Sequence, residues 1–107
     1  MFKTLVLVPA TDNDGKRFSP AQWRELRDRC IAIAGGFSVQ RGYEGYWHNA
    51  QGHAFRDRGN AYLIALGDIR QLPAWVALVE WIIVAFRQEA VYVELCGVPN
   101  IVPAIPR

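Results

Sequence analysis

Residues 35–66 constrain this chain more than any other stretch. They read Gly-Gly-Phe-Ser-Val-Gln-Arg-Gly-Tyr-Glu-Gly-Tyr-Trp-His-Asn-Ala-Gln-Gly-His-Ala-Phe-Arg-Asp-Arg-Gly-Asn-Ala-Tyr-Leu-Ile-Ala-Leu. Asn49-Ala50-Gln51-Gly52 supplies residue types that accept turn geometry, so the stretch is expected to fold as a long twisted hairpin. Gly42 and Gly45 weaken a regular strand and predict a bulge or bend near Tyr43. The aromatics Phe37, Tyr43, Tyr46 and Trp47 precede the turn, and the polar group Arg56, Asp57, Arg58 and Asn60 follows it. Polar side chains beside an apolar strand, with aromatics opposite, form the usual lining of a small-molecule site. The same composition also describes an ordinary solvated hairpin end.

The flanking segments complete a simple order. Phe2 to Val8 is a β-branched apolar run stopped by Pro9, and both of its alternating rows are mostly apolar. Ser19-Pro20 starts a helix that runs to Ala34, with Gly35-Gly36 as its stop. Leu72 to about Arg87 reads as a second helix, apolar most of the way round. Glu89 to Cys96 reads as a strand. The order is therefore βαββαβ. With right-handed crossovers this gives an α+β, ferredoxin-like arrangement: a four-stranded antiparallel sheet with two helices on one face. Residues 1–97 form the domain, and 98–107, with Pro99, Pro103 and Pro106, form an extended C-terminal tail. One sheet face is left open. That open face, the two-sided first strand and the all-round apolar second helix predict a homo-oligomer.

Bulk properties exclude several classes. A chain of 107 residues is one domain, and a net charge of +2 gives no concentrated basic face for nucleic acid. Arg24, Arg27 and Arg29 alternate with Glu25 and Asp28 and read as a solvated helix face. No stretch approaches the ~20 apolar residues of a membrane span, and no signal segment is evident. A cytoplasmic protein is expected, with Cys30 and Cys96 as buried free thiols. His48 and His53 flank the turn without any metal-ligand spacing, so no metal or other cofactor is expected. No phosphate-binding loop is present, because Gly42-Tyr43-Glu44-Gly45 is not followed by a helix.

The pattern Gly35-Gly36-Phe37, Gly42 to Trp47, Gly52, Arg56-Asp57 before Tyr62, and Phe86 to Val93 resembles a group of small bacterial and phage proteins with a ferredoxin-like fold. More distantly it is similar to the phage S-adenosylmethionine lyases. The resemblance covers roughly residues 35–97. It implies a trimer with its site between subunits, where the substrate carboxylate attacks its own γ-carbon and releases methylthioadenosine and homoserine lactone. The enzyme then acts by positioning. Carried onto this chain, Asp57 would hold the substrate ammonium group and Tyr46 would orient the reacting chain. Tyr43, Trp47, Arg56, Arg58 and Asn60 would bind substrate. Glutamate is expected where Asp57 stands, and one methylene less moves the carboxylate by about 1.5 Å. Two other readings follow from the residues. One is a non-enzymatic oligomeric module binding an adenine-containing, nucleotide-like ligand, with Arg41, Arg56 and Arg58 facing phosphates. The other is a protein-interaction module docking through its apolar helix and tail.

Overall fold

The structure is a computed structural model. It describes residues 1–48 and 50–105, except for the side chains of Trp47 and Phe55. Five strands and two α-helices follow in the order β1 (Phe2–Pro9), α1 (Pro20–Ala34), β2 (Ser38–His48), β3 (Ala54–Leu66), α2 (Leu72–Ala85), β4 (Ala90–Leu95) and β5 (Val98–Pro103). A single 3-10 turn, Ile69–Gln71, leads into α2. The sheet is antiparallel, with strand order β2-β3-β1-β4-β5.

The sheet therefore has five strands, which corrects the expected four. The fifth comes from the proline-rich segment read as a tail. Leu95 pairs with Val98 across Cys96-Gly97, whose φ angles of 53° and 82° are both positive. Two positive φ values in a two-residue loop turn a hairpin in step with the strand twist. Pro99 and Pro103 are tolerated because β5 is an edge strand and its outer side needs no donors. Cys96 is consequently exposed in that turn instead of buried, whereas Cys30 is buried in α1.

Alternation assigns the two sheet faces. Thr4, Val6 and Val8 of β1 stand opposite Ile64, Tyr62 and Asn60 of β3. This row, with Val91 and Val93 of β4, faces the helices and is buried apart from the half-buried Asn60. Leu26 and Cys30 of α1 and Leu78, Val79, Ile82 and Ile83 of α2 pack against it. Full burial of an Ile or Leu side chain is worth roughly 1.5–3 kcal/mol, so this contact holds both helices on one face. Thr4 is the polar member of the row, and its hydroxyl donates to the Ile64 carbonyl at 2.6 Å. The opposite row contains Leu5, Leu7 and Leu63, all only half-buried, and no helix among the described residues covers that face. On α2, Val76 and Val84 are also exposed.

The connection from β1 to α1 is tied down at both ends. The Asp12 carboxylate accepts from the Asp14 and Lys16 backbone N–H groups, both at 2.9 Å, and pairs with Arg87 at 2.9 Å. The Gln88 side chain donates to the Thr11 carbonyl at 3.2 Å. Ser19 and Gln22 form a reciprocal capping box at the start of α1. Gly59 completes the arrangement, since a Cβ there would run into the Val8 carbonyl oxygen.

Candidate functional site

The β2–β3 hairpin is the longest ladder in the molecule and projects beyond the end of β1. Its register decides where each expected site residue goes. Tyr46 stands opposite Arg56, Glu44 opposite Arg58, and Gly45 opposite Asp57. Residues directly opposite one another share a face, and neighbours along a strand alternate. Glu44, Tyr46, Arg56 and Arg58 therefore leave the ribbon on one side and Asp57 on the other. Arg56, Arg58 and Asn60 continue the helix-side row of Tyr62, Ile64 and Leu66.

Glu44 organises the helix-side group. The Tyr46 hydroxyl donates to one Glu44 carboxylate oxygen at 2.9 Å. Arg56 donates to the other at 2.9 Å, and Arg58 lies 3.3 Å from that same oxygen. The Tyr46 hydrogen bond, followed by those of Arg56, holds the Glu44 carboxyl below the usual range. Tyr46 remains 71% exposed, so its ring is presented to whatever lies beyond the monomer. The role of Glu44 was not evident from the sequence, because a ladder counted outward from an Asn49–Gly52 turn sets it opposite Asp57, whereas the observed register sets it opposite Arg58.

Asp57 shares the other face with Tyr43. Tyr43 stands opposite Gly59, after a register irregularity that begins at Gln40 and places Gly42 at φ 75°. Its ring folds back over Gly45: an added Cβ on Gly45 would meet the Tyr43 phenol oxygen and ring at 3.4 Å. Gly45 is the direct partner of Asp57. The missing side chain thus leaves room for an aromatic ring beside a carboxylate. Tyr92 on β4 lies on the same open face, and its hydroxyl donates to Glu94 at 3.1 Å. Burial and that contact push the Tyr92 phenol up. Trp47, expected as a pocket wall, has its side chain outside the described residues, and Asn49 of the expected turn lies outside them too.

On the helix side, a cleft of about 780 Å³ opens between the β1–α1 connection, the start of α1 and the hairpin. Arg56, Arg58 and Asn60 line it, and Asp57 borders it from between the two arginines. Arg17, Arg24 and Arg41 line it as well. Phe18 and Trp23 form its aromatic part, packed on Phe86 with ring centroids 4.6 and 5.0 Å away. Among the described residues, no group of three or more His, Cys, Asp or Glu side chains comes together to hold a metal. No helix among them is long and apolar enough to cross a membrane.

No family model matches this chain, and no curated protein matches it. Solved structures do. A phage SAM lyase in complex with S-methyl-5'-thioadenosine superposes with a TM-score of 0.65 at 19% identity, covering 96% of this chain and 89% of that one. A phage SAM lyase in its apo state gives 0.61 at 16% identity, covering 99% and 91%. The divalent cation tolerance protein CutA1 from Thermus thermophilus gives 0.55 at 19% identity, covering 100% and 84%. The chain is thus distantly similar to phage SAM lyase over nearly its whole length. At these identities the likeness speaks for the fold.

Proposed function

We propose that this protein is a sulfonium lyase that cleaves S-adenosylmethionine, or a nucleotide derivative of it, on the open-face side of the β2–β3 hairpin. The observation that carries the reading is the placement of the Tyr43 ring over Gly45, directly across from Asp57. An aromatic face attracts a sulfonium, and a carboxylate holds an ammonium. The fold likeness to a lyase in complex with S-methyl-5'-thioadenosine supports the same reading.

The reaction asks for positioning more than for acid–base chemistry. A carboxylate oxygen of the substrate attacks its own γ-carbon, and the carbon–sulfur bond breaks. The electron pair goes to sulfur, which leaves as the neutral thioether of methylthioadenosine, and the ring closes as homoserine lactone. No water is consumed. Holding the chain folded for this attack removes an entropic barrier. The row that bears Asp57 continues through Gly59, Ala61 and Leu63 and contains no arginine, so the attacking carboxylate is not pinned by a guanidinium there.

Tyr46 lies on the other side of the ribbon. In this reading it serves a site made with a second copy: Asp57 and Tyr43 come from one chain and Tyr46, oriented by Glu44, from its neighbour. A homo-oligomer, a trimer in our proposal, would also cover Leu5, Leu7 and Leu63. The test is to incubate purified protein with S-adenosylmethionine and separate the products by chromatography. Methylthioadenosine above the spontaneous background, lost in Asp57→Ala, is the expected result. Its absence would remove the lyase reading.

A further inference from the structure

Near its tip the hairpin pairs its arginines with a carboxylate, whereas the rest of the helix-side cleft does not. Arg56 and Arg58 both bind Glu44, while Asp57, between them in sequence, belongs to the other face of the ribbon. Arg17, Arg24 and Arg41 border the same cleft and make no ion pair among the described residues. The backbone places each of these three by a separate device. Arg17 is bridged to Thr11 in the connection that Asp12 clamps. Arg24 sits in the second turn of α1, behind the Ser19–Gln22 capping box. Arg41 stands in the irregular stretch of β2, just before the positive-φ Gly42.

Like charges around one concavity repel, and clefts concentrate their field. Such an arrangement is stabilised by an anion. Guanidinium forks match phosphate oxygens two at a time. The start of α1 adds the positive end of its dipole to the same wall. Phe18 and the half-buried Trp23, backed by Phe86, supply an apolar wall beside the arginines. The volume falls within the roughly 300–1,000 Å³ of small-molecule sites. The three arginines line one cleft and the net charge is only +2, which favours a small ligand over a nucleic-acid strand.

We propose that this cleft binds the phosphate groups of a small phosphorylated ligand of nucleotide size, with Arg17, Arg24 and Arg41 as its anion subsite. The proposal does not rest on the lyase reading, because S-adenosylmethionine itself carries no phosphate and its sulfonium centre is repelled by these side chains.

Isothermal titration of the full chain with ADP, inorganic pyrophosphate and adenosine tests it. ADP and pyrophosphate should bind, and adenosine at least about tenfold more weakly. Arg24→Ala and Arg41→Ala should each weaken ADP by about tenfold or more, the loss of one charged hydrogen-bonding group. Arg27→Ala, whose side chain pairs with Asp28 on α1, should leave binding unchanged. Circular dichroism confirms that each variant is folded. Equal affinity for adenosine and ADP, no binding of either phosphate compound at millimolar concentration, or full affinity in both cleft variants would overturn the proposal. So would tighter binding of a single-stranded oligonucleotide than of ADP.

Discussion

Tyr46 and Asp57 leave the β2–β3 hairpin on opposite faces: Tyr46 pairs across the ladder with Arg56, and Asp57 with Gly45. A single chain therefore offers Asp57 together with Tyr43 on one side and Tyr46 together with Glu44 on the other. Much of the proposed chemistry depends on that separation.

Loss of the Asp57 carboxylate should be the most damaging single change at the proposed site. Asp57→Asn keeps the shape and removes the charge that holds an ammonium group. Methylthioadenosine formation should fall by roughly 10- to 150-fold, the worth of about 1.5–3 kcal/mol for a hydrogen bond to a charged group. Initial rates by chromatography measure it. Full activity in this variant would move the site elsewhere.

The two tyrosines should fail in different ways. Tyr43→Leu removes the ring over Gly45 and should raise KM, since the sulfonium loses its aromatic face. Tyr46→Phe keeps a ring and loses only the hydroxyl held by Glu44, so kcat should fall with little change in KM. Mixing the impaired Asp57→Asn and Tyr46→Phe chains should raise activity above that of either variant alone if the site is shared between copies, because some mixed assemblies contain an intact site. Equal loss in every mixture would contradict a shared site.

Much of this was legible in the sequence. The helix starts and stops at Ser19-Pro20 and Gly35, the buried runs of β1 and β3, and the irregularity near Tyr43 all came from local chemistry that the structure repeats. The hairpin register did not. A turn closed over Asn49–Gly52 would oppose His48 to His53, whereas the ladder opposes His48 to Ala54. A one-residue offset reverses which face a strand residue joins. In the symmetric register Tyr46 and Asp57 share a face; in the observed one Tyr43 takes that place. The fifth strand was hidden for a different reason. Cys96-Gly97 is a weak turn signal, and prolines at 99 and 103 argue against a strand unless it lies at an edge. Arg17 and Arg24 were unremarkable because only the folded connection brings them to Arg41.

The Asp12 clamp gives a pH signature. Its backbone hydrogen bond from Lys16, then that from Asp14 and the charge of Arg87, hold the carboxyl below its ordinary value of 3.8. The folded-state value is depressed, so the stabilisation is complete above the unfolded value and is lost as pH falls through the folded one. Asp12→Asn should lower Tm by several degrees at neutral pH, and the difference from the parent should shrink below about pH 4. A difference that stays constant down to pH 2 would contradict the assignment.

The cysteines should separate by reactivity. Burial pushes the Cys30 thiol up to about 12, while Cys96 is exposed in the β4–β5 turn. Thiolate is the reactive form. A thiol reagent at pH 8 should modify one cysteine per native chain and both after denaturation, and peptide mapping should place the first at Cys96. Two fast equivalents in the native protein would refute the burial of Cys30.

Assembly is open to a direct check. Half-buried Leu5, Leu7 and Leu63 form an apolar row on the sheet face away from the helices. Sedimentation equilibrium should give a multiple of the chain mass, and Leu63→Glu should shift it toward a single chain while leaving the far-ultraviolet spectrum intact. A parent protein with the mass of one chain would end the intersubunit site.

The central claim is tested most directly by the product of the proposed reaction. Purified protein is incubated with S-adenosylmethionine, and the mixture is resolved for methylthioadenosine and homoserine lactone, with Asp57→Ala run alongside. Both products in equal amounts, well above the spontaneous background and absent from the variant, are predicted. Background levels in both samples would contradict the account.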